Sequence, residues 1–311
     1  MMKLDPRAFT LLAILSIATA LTCVVLSLRE SAFKNPSHPS HPIPPPSQFA
    51  DDPPIPDLSY DQVIFLGDSL TDLFNPHGGW SNLLARDYSP AMDVHFRARS
   101  GFNSFWLKAA LRSFLHTLAP EKVKLVTLLI GTNDSKDPID NGSVPVDLYS
   151  RSLLEILDIV HVLHPQAKIL VMTPPPLSKE SVWGVFSFTR VKEYRDACAA
   201  TVFELLRDSV GWAKGTVALL DSWDVFIPNQ EYDEAQFQLS SLDELFVDGV
   251  HFSQRGNDMF YEAVKAKILD EWPQLAADRV SWKIPMPHEG FVRAEIGREA
   301  EALKIIVPEN S

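Results

Sequence analysis

Asp61-Gln62-Val63-Ile64-Phe65-Leu66-Gly67-Asp68-Ser69-Leu70-Thr71-Asp72 carries a short apolar run into a glycine and then into polar residues. An apolar run of this length, closed by a turn signal, reads as a buried strand. A strand that ends in Gly-Asp-Ser sets the serine hydroxyl at the carboxyl edge of its sheet, and open α/β sheets bind ligands at that edge. Ser69 is therefore the first candidate nucleophile.

Four more runs of the same kind follow, so strands are expected at 62–66, 92–97, 123–130, 168–173 and 216–220. Between them apolar residues recur at helical spacing. Tyr149, Leu153, Ile156, Leu157, Val160 and Leu163 give one buried helical face, and further helices are expected near 79–88, 103–117, 187–209 and 254–270. Strands alternating with helices imply parallel βαβ units whose right-handed crossovers place helices on both faces of the sheet. The expected fold is α/β, a three-layer α/β/α sandwich around a five-stranded parallel sheet.

A serine hydroxyl is a weak nucleophile at neutral pH. It needs an adjacent base, and that base needs a third group to hold it in one tautomer. Val247-Asp248-Gly249-Val250-His251-Phe252-Ser253 offers an acid and an imidazole three residues apart, so Asp248 and His251 fill those roles. Acyl transfer also needs donors aimed at the developing oxyanion. The third strand run ends in Gly131-Thr132-Asn133-Asp134, which sets the Asn133 amide at another strand end, and Ser100-Gly101-Phe102-Asn103 offers the Gly101 N–H. Ordinary alternatives exist for several of these residues. Asp68, Ser69, Thr71 and Asp72 are all helix-cap types, and for Thr71 and Asp72 the cap is the preferred reading. Asn133 and Asp134 also suit a turn after Gly131, and Asp134 reads equally as a turn residue or a brace for its loop.

The blocks Gly67-Asp68-Ser69-Leu70, Gly101, Gly131-Thr132-Asn133-Asp134 and Asp248-Gly249-Val250-His251, in this order, resemble the Ser, Gly, Asn and His blocks of the GDSL, or SGNH, hydrolase superfamily. Gly78-Gly79-Trp80, Ser100-Gly101-Phe102-Asn103, Thr173-Pro174-Pro175-Pro176-Leu177 and the segment from Asp248 to Ser253 are similar to its isoamyl acetate-hydrolysing esterase-like branch. One departure stands before Ser100, where Ala98-Arg99 replace the glycine and aromatic or apolar residue usual in that branch. The resemblance implies the flavodoxin-like SGNH hydrolase fold, with Ser69 as nucleophile, His251 as base and Asp248 as its orienter. The implied oxyanion hole comprises the Ser69 and Gly101 N–H groups and the Asn133 side chain. The implied activity is that of a serine esterase hydrolysing carboxylic esters, short-chain acyl or acetyl, through an acyl-enzyme without metal or organic cofactor. Alternatives are a membrane-anchored acyltransferase or deacetylase acting on a sugar or lipid hydroxyl, a non-catalytic binding module, and a structural or adhesion protein.

The chain has 311 residues, 46% of them hydrophobic, enough for one large catalytic domain with tails. A formal net charge of -12, with no basic run interleaved with aromatics, argues against nucleic acid as a partner. A small-molecule, lipid or sugar ester is the expected partner. Ala8 to Leu28 contains no charged residue, which exceeds the usual signal-peptide core and is about enough to span a bilayer. The expected organisation is a flank at 1–7, a transmembrane anchor or uncleaved signal at 8–28, a Pro-rich stalk at 29–57, the hydrolase domain at 58–283 and a tail at 284–311. The domain would then be lumenal or extracellular on a single-pass anchor; cleavage near Ala18-Thr19-Ala20 would instead give a secreted protein.

His161 and His164 lie three apart, a spacing that fits a metal, but no third ligand is evident. They read as last-turn residues in which a partly protonated imidazole suits the helix dipole. His38 and His41 read as solvated within the stalk, and His77, beside Gly78-Gly79-Trp80, is a substrate-pocket candidate. Trp80, Phe102, Trp106, Trp183 and Phe186 are candidate pocket walls, although aromatic residues at such spacings are more often core. Cys23 lies in the apolar segment, which leaves Cys198 as a small core hydrophobe without a disulfide partner inside the domain. Sequons occur at Asn133 and Asn141, and only Asn141 suits a glycan, because one on Asn133 would destroy the oxyanion hole.

Overall fold

The computed structural model describes residues 59–72, 78–89, 91–178, 184–207, 211–227 and 242–281. Five strands form one parallel sheet: β1 (Asp61–Gly67), β2 (Met92–Ala98), β3 (Val123–Leu129), β4 (Lys168–Met172) and β5 (Val217–Leu220). Their spatial order is β2-β1-β3-β4-β5. All five expected strands are present, with no end shifted by more than one residue. Val63 and Phe65 of β1 enter the core on one side of the sheet and Ile64 and Leu66 the core on the other, and none of the four is exposed. A strand covered on both faces has no polar face to alternate, which is why β1 is a continuous apolar run.

The helices are α1 (Trp80–Tyr88), α2 (Ser104–Leu115), α3 (Val146–Leu163), α4 (Phe188–Arg207), α5 (Ser222–Phe226) and α6 (Gln254–Glu271). Residues of α1, α5 and α6 pack with Val63, Phe65, Leu125 and Leu170 on one face, while α2, α3 and α4 pack with Ile64, Leu66, Val126 and Ile169 on the other. This is the expected three-layer sandwich. On α3 the periodic residues Tyr149, Leu153, Ile156, Leu157 and Val160 are buried. Local caps set the starts: Asn103 accepts the Trp106 N–H at 2.9 Å ahead of α2, and Ser253 accepts the Gly256 N–H at 3.2 Å ahead of α6. The α5 helix was not expected, because five residues are too few for a helical period to show.

Several expectations are corrected. Trp80 belongs to the core rather than to a pocket wall: it is fully buried, edge-on to Phe65 and Phe260, and its Nε1 donates to the Leu70 carbonyl at 2.8 Å. Trp106 is exposed on α2, and Phe102 packs against the core beneath α2 and α3. His164 is buried at the end of α3, and burial lowers its pKa, so it is not the charged partner of the helix dipole. His161 stacks on Trp212 with ring centroids 4.1 Å apart. Cys198 is buried, as a core hydrophobe should be.

The expected flank at 1–7, anchor at 8–28, stalk at 29–57 and tail at 284–311 lie outside the described residues, as do Cys23, His38, His41, His77 and Trp183. Among the described residues no helix is long and apolar enough to cross a membrane.

Candidate active site

In this strand order the succession reverses between β1 and β3, and open α/β sheets collect ligands at the carboxyl ends flanking such a reversal. Ser69 follows β1, Gly101 follows β2 and Asn133 follows β3, so three neighbouring parallel strands deliver them to one edge. The exit from β1 requires glycine: a Cβ on Gly67 would lie 2.5 Å from the Leu129 carbonyl oxygen of β3. Asp68 Oδ1 accepts the Leu70 N–H at 2.9 Å, and the Thr71 N–H donates to the Asp68 carbonyl at 3.1 Å, which fixes the turn carrying Ser69. Asp72 Oδ2 accepts the Ser100 N–H at 3.0 Å and ties the first loop to the second. Thr71 is buried, and the residues that Thr71 and Asp72 were expected to cap, from 73 to 77, lie outside the described residues.

His251 and Asp248 come from outside the sheet, on the segment leading into α6. An antiparallel bridge between Phe246 and Phe252 closes that segment on itself, and both rings pack on Phe226. The apolar anchor holds the polar residues between them in place. Asp248 Oδ1 accepts the N–H groups of Val250 at 3.0 Å and His251 at 2.8 Å, and Oδ2 lies 2.7 Å from His251 Nδ1. An ionised carboxylate only accepts, so Nδ1 carries the hydrogen and Nε2 is left as an acceptor. Ser69 Oγ lies 2.8 Å from that Nε2 and donates to it.

Gly101 has a φ of +82°, a left-handed backbone that glycine adopts without a Cβ penalty. The turn closes through the Phe102 N–H donating to the Arg99 carbonyl at 3.1 Å. Asn133 is 7% exposed, and its Nδ2 donates to the Phe102 carbonyl at 2.9 Å, which fixes the plane of the amide. The open choice for Asp134 is settled in favour of the brace: its carboxylate accepts from the Ser104 hydroxyl and from the Ser104 N–H at 3.0 and 3.1 Å, joining the loop after β3 to the start of α2. Burial pushes the pKa of Asp134 up to about 6 and that of Asp68 up to about 7. Arg190 straps the same loop from α4, donating to the Ser135 carbonyl at 3.0 Å and the Lys136 carbonyl at 2.9 Å.

Ser69, Gly101, Asn133 and His251 line a single cavity of about 380 Å³, so the four sequence blocks meet. Asp248 reaches it through His251. Of the described aromatic candidates, Phe186 lines the cavity, and Trp80, Phe102 and Trp106 do not. Lys136 and Asp140 also line it, and the sequence reading missed them because no motif marks either residue. Lys136 Nζ lies 3.7 Å from Asp140 Oδ1 and 5.8 Å from the centre of the Phe186 ring. Asn141, next in the chain, is exposed. Among the described residues no group of three or more His, Cys, Asp or Glu side chains could hold a metal ion.

A family profile, the GDSL-like lipase/acylhydrolase family, matches residues 65–259. The isoamyl acetate-hydrolyzing esterase 1 homolog of Mus musculus is 30% identical over 217 residues, covering 66% of this chain and 80% of that protein. The isoamyl acetate-hydrolyzing esterase of Schizosaccharomyces pombe is 24% identical over 226 residues, covering 73% of this chain and 82% of that protein. Among solved structures, a lipase/acylhydrolase from Enterococcus faecalis matches with a TM-score of 0.50 at 17% identity, over 72% of this chain and 100% of that one.

Proposed function

The chain belongs to the GDSL-like lipase/acylhydrolase family and is a carboxylic ester hydrolase, and we propose that it cleaves short-chain acyl esters through Ser69, His251 and Asp248. In this reading His251 Nε2 takes the Ser69 proton as Oγ attacks the ester carbonyl, and Asp248 stabilises the imidazolium that forms. The oxyanion accepts from the Ser69 and Gly101 N–H groups and from the second N–H of the Asn133 amide. The protonated imidazole then gives its proton to the leaving alcohol, which leaves an acyl group on Ser69. A water deprotonated by His251 attacks that acyl group and releases the acid.

The observation that supports this reading best is the run of hydrogen bonds from Ser69 Oγ to His251 Nε2 at 2.8 Å and from His251 Nδ1 to Asp248 Oδ2 at 2.7 Å. A cavity of about 380 Å³, walled in part by Val185, Phe186 and Val250, suits an ester of few carbons. Relatives named for isoamyl acetate support an acetyl or similarly short acyl group. Ser69→Ala should lower kcat on a short-chain p-nitrophenyl ester by about a million-fold and abolish labelling by a fluorophosphonate probe. Retained turnover and labelling in a folded variant would refute the assignment.

In the same proposal residues 8–28 anchor the chain, 29–57 form a stalk, and 58–283 act on the lumenal or extracellular side, with Asn141 carrying a glycan. The charge-free stretch from Ala8 to Leu28 supports the anchor. The full chain should stay with membranes through alkaline carbonate extraction, and deletion of 8–28 should release it. Extraction of the full chain into the soluble fraction would overturn the anchor.

A further inference from the structure

A second cavity, of about 450 Å³, adjoins the first across Ser100, which lines both. Its walls include Arg97, Arg99, Asp72, Phe96 and Phe114. Arg97 lies on β2, the edge strand of the sheet, and Arg99 follows two residues later, a spacing that sends both side chains to the same side of an extended segment. Arg97 is partly buried and Arg99 is exposed; Arg97 Nη1 donates to the Phe96 carbonyl at 2.9 Å, and both residues line the cavity.

Several other arginines pair with acids: Arg195 with Asp196 and Asp221, Arg151 with Asp147, and Arg255 with Glu244. Among the described residues no ion pair reaches Arg97 or Arg99, although the chain has 40 acidic residues against 28 basic ones. The one acid in the cavity wall, Asp72, already accepts the Ser100 N–H through Oδ2. Two guanidiniums therefore outweigh one carboxylate in a concavity of a strongly acidic protein, one residue from a wall of the Ser69 cavity. Guanidinium presents a planar fork of donors that matches carboxylate and phosphate oxygens.

We infer that this cavity is an oxyanion subsite that holds the phosphate or carboxylate group of an ester whose acyl end reaches Ser69. The position of the ester rests on the proposed role of Ser69; the anion site does not.

The test compares three acetates of matched length, butyl acetate, 4-acetoxybutanoate and 3-acetoxypropyl phosphate, as substrates of the full chain and of an Arg97→Gln/Arg99→Gln variant. The native protein should show kcat/KM at least about tenfold higher for one or both anionic esters than for butyl acetate, with the advantage shrinking as salt rises. The carboxylate and phosphate arms separate the two anions. The variant should bring the three esters close to parity. No anionic preference in the native protein, or a preference that survives in the variant, would overturn the subsite. Calorimetric titration with 3-hydroxypropyl phosphate tests the site apart from hydrolysis. Binding to the native protein and to Ser69→Ala, lost in the double variant, supports it even if Ser69 proves not to be the nucleophile. No binding to the native protein overturns it.

Discussion

Asp248 and Asp68 both support the geometry around Ser69, yet their surroundings are opposite. Asp248 is partly exposed and meets three donors, the N–H groups of Val250 and His251 and the His251 Nδ1. Asp68 directly precedes Ser69 in the chain but has no exposed surface; one oxygen accepts the Leu70 N–H and the other has no partner. Burial outweighs that single hydrogen bond and pushes the Asp68 pKa up to about 7. Closeness to Ser69 in sequence therefore does not assign a role. Donors fix a carboxylate in place and favour its charged form, while burial with few donors raises its pKa.

Asp248→Asn tests the functional side of that contrast and carries the largest expected effect. An amide can donate to Nδ1 and hold His251 in the wrong tautomer, so kcat should fall on the order of 10⁴-fold with the fold retained. A loss no greater than that of Asp68→Asn would erase the distinction between the two acids. Next in size is Asn133→Ala, which removes a donor held in place by the Phe102 carbonyl, and kcat should fall about 100- to 1,000-fold. Unchanged kcat would remove Asn133 from the oxyanion hole.

The same contrast marks what could be read from the chain. β1 and β4 were legible because burial on both faces leaves apolar runs, β2 because at the sheet edge Val94 and Phe96 alternate with Asp93, His95 and Arg97, and the Ser69, Gly101, Asn133 and His251 blocks because each sits at a strand end or in a short polar turn. Trp80 was a pocket candidate because the Gly78-Gly79-Trp80 block lies near Ser69 in sequence, but its ring packs inward on Phe65 and Phe260. Lys136 and Asp140 were illegible for another reason. The straps that bring their loop to the cavity are side-chain to carbonyl bonds from Arg190, some 50 residues away, and such bonds leave no local pattern. The protonation of Asp68 and Asp134 likewise depends on tertiary burial, not on residue type.

Asp68→Asn addresses stability. Folded Asp68 holds its proton up to about pH 7, whereas in the unfolded chain it ionises near its ordinary value of 3.8. The folded state binds the extra proton across that interval, so its contribution to stability is full below about pH 4 and is lost as pH rises through about 7. Asparagine removes this dependence. Relative to the native chain, Asp68→Asn should gain up to a few kcal/mol between pH 4 and pH 8, read by urea denaturation at both pH values. Parallel pH profiles for the two proteins would show that Asp68 ionises normally in the fold.

Ser104→Ala probes the brace with the smallest expected effect. The Ser104 hydroxyl donates to Asp134 and lowers a pKa that burial otherwise raises, to a net value of about 6. Removing that donor should raise the Asp134 pKa further. The folded state would then hold its proton to a higher pH and lose more stability on ionising, so the deficit should be larger at pH 8 than at pH 5. At pH 8 it should reach about 1–3 kcal/mol, the usual cost of leaving a buried acceptor short of a donor. Denaturation at the two pH values distinguishes this from packing, because a deficit that does not change with pH would mean that Ser104 supports the loop by shape alone and that the carboxylate does not depend on its hydroxyl.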